Sequence, residues 1–221
     1  MHEPLVPMFF PILGAQVSES EFQYPDLSWK ELCGMMGNLV ADSGCNKGQL
    51  SNIVEAICHN MREHDNTELE KLVEWQKQMK MKSANKEKPA RPDVSFWFPP
   101  ADVTNAAFIQ NAMACEKLGE RTQYLNLPEV EMADRMCGGH KQISQMLRNI
   151  YDRQRSGALR ATVEGVTGNP VLRANLTISS TPYAARKFYK NELFNGTFGR
   201  MMFSFKARMG RDGRIPRQGK Y

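Results

Sequence analysis

Hydrophobic positions in this chain change period along its length, and each change marks an element. Leu50, Ile53, Val54 and Ile57 recur three and four residues apart, the spacing of a buried helical stripe. Just ahead of them, Asn38-Leu39-Val40-Ala41 is a short, mostly apolar run suited to the end of a buried strand. A polar, glycine-containing stretch separates the two, so the local order is strand, turn, helix. Residues 29–36 lead into that strand as either helix or strand. Leu69, Leu72, Val73, Gln76 and Met79 form a stripe on a highly charged helix beginning at Asn66. It reads as a projecting insertion over residues 66–90, decaying into a polar linker that closes at Pro92. Residues 94–98 have strand composition and stop at Pro99-Pro100. Asp102 or Thr104 can cap the following helix, on which Ala106, Ile109, Ala112 and Met113 repeat.

The second half continues the alternation. Gln123 to Leu127 reads as a strand ending at Pro128-Glu129, and Ile143, Met146, Leu147 and Ile150 mark a helix over residues 140–151. Leu159, Ala161 and Val163 alternate with polar neighbours, as do Leu172, Ala174, Leu176 and Ile178, so two strands flank the turn Thr167-Gly-Asn-Pro170. The second stops at Ser179-Ser-Thr-Pro182. Residues 183–194 read as a helix and 201–205 as a last strand. Strands alternating with helices predict an α/β domain with a mostly parallel sheet, spanning residues 29–207. The proline-rich residues 1–28 read as an irregular lead-in. The basic residues 208–221 read as a polar tail cut from a larger protein.

The turn after the first strand carries the most specific chemistry. Asp42-Ser43-Gly44-Cys45-Asn46-Lys47-Gly48 follows the outline of a phosphate loop, in which backbone N–H groups at a helix N-terminus cradle phosphates and a lysine neutralises them. Gly44 and Lys47 fit the pattern. Ala41 replaces its first glycine, Asn46 its second, and Gly48 the hydroxyl that completes a magnesium shell. Ser43 or Ser51 could substitute for that hydroxyl. The competing reading of the same residues is a plain polar turn. Ligands in open α/β sheets collect outside the carboxyl ends of strands, and two more strand ends are polar: Glu129, and Ser179-Ser180-Thr181. Glu129 could orient a water or hold magnesium through one, and Arg200 could neutralise charge developing in phosphoryl transfer. The bland counterparts are a helix-start carboxylate, turn hydroxyls and a surface cation.

Charge adds a second theme. The chain of 221 residues has a net charge of +5, but residues 1–140 hold 13 Lys+Arg against 20 Asp+Glu, while residues 141–221 hold 16 against 4. So lopsided a distribution suits a polyanion at the C-terminal third. Arg186, Lys187 and Lys190 interleave with Tyr183, Phe188 and Tyr189, and Arg208 and Arg211 extend the positive stretch. Cations among aromatics suit single-stranded DNA, phosphates pairing with charge and bases stacking on rings. The alternative is that the rings are one helix's buried face. Five cysteines without paired spacing point to reduced thiols and a cytoplasmic protein, and no cysteine–histidine set has metal spacing. No apolar run approaches a membrane span.

These residues resemble a family. The loop at 42–48, the helix start Asp102-Val-Thr104, Leu127-Pro-Glu129, Tyr151-Asp152, Ile178-Ser-Ser-Thr-Pro182 and Gly199-Arg-Met-Met-Phe203 occur in an order similar to that of the primase- and helicase-associated P-loop proteins of phage and mobile-element replication. The resemblance covers most of the chain and implies a RecA-like, P-loop NTPase-like core that binds ATP and Mg2+ and works in DNA replication or mobilisation. A homo-oligomer is among the expected assemblies. It makes Lys47 the phosphate lysine, Gly44 a loop glycine, Glu129 the acid of the second motif, with Pro128 where an Asp is usual, and Arg200 the family's arginine after the penultimate strand. Two functions follow: an ATPase or helicase-like domain with a degenerate loop, or a non-hydrolysing scaffold derived from one that binds single-stranded DNA or a replication partner.

Overall fold

Leu5, Met8, Ile12 and Ala15 lie three or four residues apart, and all four are buried. They belong to a 3-10 helix over Glu3–Phe9 that runs into α1, Phe10–Gln16. The lead-in is therefore helical, not irregular. Pro11 sits in the first turn of α1, where a missing N–H breaks no hydrogen bond. The computed structural model describes residues 3–18, 20–23, 25–26, 31–32, 34–81, 89–119, 121–137, 143–157, 166–190 and 196–206. The linker at 82–88, the strand expected at 159–163, the far end of the helix expected to reach 194, and the tail with Arg208 and Arg211 lie outside those residues.

After α1 a short antiparallel ribbon pairs β1, Glu21–Phe22, with β2, Glu31–Leu32. The main sheet begins with β3, Met36–Ala41, followed by α2, Gly48–Ile57, and α3, His59–Met81. Next come α4, Asn105–Lys117, β4, Gln123–Leu127, α5, Glu131–Cys137, and α6, Ile143–Tyr151. The described chain closes with β5, Ala174–Ser180, α7, Pro182–Tyr189, and β6, Met202–Lys206. The four long strands are all parallel, in the order β4-β5-β3-β6. Thr104, not Asp102, caps α4, its hydroxyl accepting from the Ala107 N–H at 3.3 Å.

Side-chain alternation sorts the helices to the two faces of this sheet. Leu39 and Tyr124 pack with Met8, Ile12, Leu50 and Val54 against α1 and α2. Val40, Leu125, Leu127, Leu176 and Ile178 face α4 to α7 through Phe108, Leu147, Ala185 and Tyr189. Each fully buried aliphatic chain contributes about 1.5–3 kcal/mol of transfer free energy. Gly37 lies inside β3 because the Met8 side chain presses on it: a Cβ there would stand 2.9 Å from the Met8 methyl.

One expected strand is absent for a specific reason. Residues 94–98 are extended, yet most of their amides go to side chains. Asp65 accepts from the N–H groups of Trp97 and Phe98 at 2.8 and 2.6 Å, Asn111 from Phe96 at 2.7 Å and Glu68 from Ser95 at 3.2 Å. These acceptors occupy the hydrogen bonds a ladder would use. Asp65 and Glu68 sit on α3, which begins well before Asn66 and spans about 35 Å at ~1.5 Å per residue.

Candidate functional site

The first strand of the main sheet in chain order, β3, is flanked by β5 and β6, and its carboxyl end opens into the 42–47 loop. Lys47 stands at the N-cap of α2 with helical backbone angles and no side-chain cap. The loop turns through two left-handed residues, Gly44 at φ 81° and Asn46 at φ 55°. Asn tolerates this region better than other side chains, which explains why Asn46 can stand where a phosphate loop has glycine. The turn is closed by Cys45 N–H to Asp42 O at 3.2 Å, and the first turn of α2 by Gln49 N–H to Asn46 O at 3.2 Å. Ser43, Gly44, Asn46 and Gly48 are exposed and Lys47 is half-buried. Around Gly48 a built Cβ meets nothing within 4 Å.

Sheet topology makes this loop special. From β3 the chain leaves to α2 on one face, and from β5 it leaves to α7 on the other. Between the carboxyl ends of adjacent parallel strands whose connections part this way lies a crevice, the general binding position of open α/β sheets. One wall is the 42–47 loop. The other is Ser180-Thr181, with Thr181 capping α7 by accepting from the Ala184 N–H at 3.2 Å. Beneath it lies a buried cluster that sequence reasoning missed. Ser180 Oγ donates to Asn38 Oδ1 at 2.8 Å, and Asn38 Nδ2 donates to Tyr189 Oη at 3.0 Å, joining β5, β3 and α7. Ser180 is legible as a polar strand end, but Asn38 and Tyr189 lie 151 residues apart and nothing local joins them to it.

Glu129 follows β4, and β5 intervenes between that strand and β3, so the acid strand is not the loop strand's neighbour. Two strand spacings amount to about 10 Å. The gap is spanned by α2, whose Ser51 Oγ receives a hydrogen bond from Asn126 Nδ2 at 3.4 Å, placing its first turn against β4 three residues before Glu129. Asn126 is 9% exposed, and its Oδ1 is buried with no hydrogen-bond partner.

Arg200 corrects the sequence reading. It precedes β6, and because the strands are parallel it stands at the amino edge of the sheet, opposite the loop. There its Nε and Nη2 donate to the two carboxylate oxygens of Asp152 at 2.9 Å, and its Nη1 donates to Gly196 O at 2.9 Å. Asp152 raises the Arg200 pKa above its ordinary value through these hydrogen bonds. Within one chain it does not reach phosphates at residues 42–47.

On α7, Arg186, Lys187 and Lys190 are exposed, as is Tyr183 at 79%. Tyr189 points into the core and Phe188 is half-buried, so of the interleaved rings only Tyr183 is fully open to solvent. A cavity of about 680 Å³ lies beside the loop, between α7 and β6, with Asp42, Tyr189 and Phe205 in its wall.

A triphosphate fits the loop residues better than a directly bound metal does. The loop offers exposed backbone at a helix N-terminus and Lys47 beside it, but Gly48 supplies no metal-binding hydroxyl. Among the described residues no three His, Cys, Asp or Glu side chains converge. Ser43 in the loop and Ser51 on the first turn of α2 carry the hydroxyls that could complete a cation's shell. The thiols of Cys58, Cys115 and Cys137 are all pushed up to about 12 by burial, which keeps them protonated and poor nucleophiles at neutral pH. No described helix is long and apolar enough to cross a membrane. No protein-family model and no curated protein matches the sequence.

Proposed function

We propose that this chain is a nucleotide-binding domain of the P-loop, RecA-like type, holding a nucleoside triphosphate at residues 42–47 in an ATPase or helicase-like protein of DNA replication or mobilisation. The observation that carries this reading is the position of Lys47: at the start of α2, after a strand flanked on both sides, beside the crevice where the connections of β3 and β5 diverge. Backbone N–H groups at the start of α2 bind phosphate oxygens, favoured by the helix dipole. Lys47 neutralises them, while Gly44 and Asn46 hold the turn open in its left-handed geometry. Mg2+ would supply further charge neutralisation there, and Ser43 or Ser51 would give the hydroxyl for its shell. Glu129, three residues beyond Asn126, is the group that orients an attacking water.

A second reading has its own support. Gly48 lacks the hydroxyl, Pro128 occupies an acidic position and Arg200 is tied to Asp152 at the opposite edge. All three favour a scaffold that holds nucleotide without turning it over and presents the basic face of α7 to single-stranded DNA or a replication partner. Thermal unfolding with ATP and Mg2+, with ADP, and with nucleotide but no metal separates the readings when phosphate release is followed in parallel. A ligand at 100 times its Kd stabilises the fold by about 2.7 kcal/mol. Stabilisation with phosphate release supports the ATPase, and stabilisation without it supports the scaffold. No stabilisation by any nucleotide removes the ATPase and leaves only a scaffold that binds single-stranded DNA or a replication partner.

A further inference from the structure

Phe198, Phe203 and Phe205 form a ladder of rings. Phe198 and Phe203 stack with centroids 4.5 Å apart at 27°, and Phe203 and Phe205 are 6.4 Å apart at 21°. Tyr189 anchors the ladder from the side, its ring meeting the middle ring, Phe203, edge-on at 5.2 Å. The outer end is not covered: Phe205 is 69% exposed and lines the cavity of about 680 Å³ between α7 and β6. That volume is ordinary for a small-molecule site, which is typically lined by apolar and aromatic groups with a few polar ones. The register joins this cavity to the phosphate loop. Phe205 pairs with Val40 and Lys206 with Ala41, so the last exposed ring stands beside the residues that open the loop. Asp42 belongs to both the cavity wall and the loop.

The rim discriminates among ligands. Arg186, Lys190 and Lys206 line the hollow against the single carboxylate of Asp42, and the rest of its wall is mostly apolar. A neutral apolar ligand has no use for three cations, whereas an aromatic ring carrying phosphates does. We propose that this cavity is the base subsite of the nucleotide, the base stacking on Phe205 as the next ring of the ladder while its phosphates run past Asp42 to Lys47. The assignment rests on the phosphate-loop reading above and extends it to the part of the ligand that the loop does not touch.

Isothermal titration of the full chain with ATP and with inorganic tripolyphosphate tests it, using wild type, Phe205→Ala, Phe205→Trp and Lys47→Ala. Stacking of a base on an aromatic side chain corresponds to roughly 5- to 150-fold in affinity. ATP is therefore expected to bind at least about fivefold tighter than tripolyphosphate. Phe205→Ala should remove that advantage while leaving tripolyphosphate affinity unchanged, and Phe205→Trp should restore it. Phe205 is exposed, so these variants leave the core intact. If Lys47→Ala weakens both ligands but Phe205→Ala weakens neither, the phosphate loop stands and the base subsite is overturned. If neither ligand binds wild type, the phosphate loop itself fails and the subsite with it.

Discussion

Asp152 grips Arg200 with both carboxylate oxygens, each 2.9 Å from a guanidinium nitrogen, at the sheet edge facing away from the Lys47 loop. A planar fork held this way fixes the turn before β6 against the end of α6. Arg200→Ala is therefore expected to lower stability by about 1 kcal/mol, since both side chains remain partly open to water. The affinity for ATP should stay within twofold of wild type. A loss of nucleotide affinity larger than the stability change explains, measured by titration well below the melting temperature, would return Arg200 to the nucleotide site.

The loop makes two opposite demands on substitution. Asn46 is left-handed, so Asn46→Val should cost about 1–2 kcal/mol in denaturant unfolding, while Asn46→Gly should cost nothing. Gly48 has open space around its missing Cβ, so Gly48→Ser is expected to fold and to add about 0.5 kcal/mol of helix stability. It also restores the metal-shell hydroxyl. The ratio of ATP affinities with and without Mg2+ should rise in Gly48→Ser relative to wild type. An unchanged ratio would mean that residue 48 does not face the phosphates.

Arg186, Lys187 and Lys190 project from α7 beside the exposed Tyr183. Weak, salt-sensitive binding of single-stranded DNA is expected from them, followed by anisotropy across a salt series. Replacing all three by Ala should reduce the log–log salt slope by about 2, at ~0.7 per phosphate contact. A slope that the triple variant leaves unchanged would move any binding off this face.

Glu68 supplies an acid-side test of the fold. Burial alone would raise its pKa, but the Lys71 ammonium and the Ser95 N–H outweigh that and hold the carboxyl below its ordinary value of 4.5. A depressed folded pKa means stability that is present above the ordinary value and lost as pH falls through the folded one. Melting temperature should therefore drop as pH falls below about 4.5. Glu68→Gln should start lower at neutral pH and fall less steeply. Parallel profiles for the two proteins would remove Glu68 from the acid response.

Much of this architecture was legible because short apolar runs such as Leu39-Val40 mark strands covered on both faces. In β5 the alternation of Leu176 and Ile178 with Asn175, Thr177 and Ser179 located the strand but not its burial, since the polar positions are buried as well. Lys47 at a helix start was legible too, since strand, glycine turn and helix are contiguous in the chain. The N-terminal helix was not, because Pro7 and Pro11 read as breakers until their positions within the helical turns are known. Residues 94–98 looked like a strand because composition reports extended backbone, not whether a strand or Asp65 and Asn111 will accept its amides. The Asn38–Ser180–Tyr189 cluster and the insertion of β5 between β3 and β4 depend on contacts between distant segments. The misplacement of Arg200 has a simpler cause: a residue just before a parallel strand lies at the amino edge, away from the crevice.

Calorimetric titration of ATP into the wild-type chain and into Lys47→Ala tests the central claim most directly. Lys47 is half-buried at a helix cap with no side-chain cap bond, so its truncation is expected to leave folding intact. Saturable binding at a single site, weakened at least tenfold by Lys47→Ala with an unchanged melting temperature, is the result the phosphate loop predicts, a charge-assisted phosphate contact corresponding to about that factor. Binding that is equally tight in both proteins, or undetectable at millimolar ATP in wild type, would contradict it and leave the 42–47 segment a polar turn.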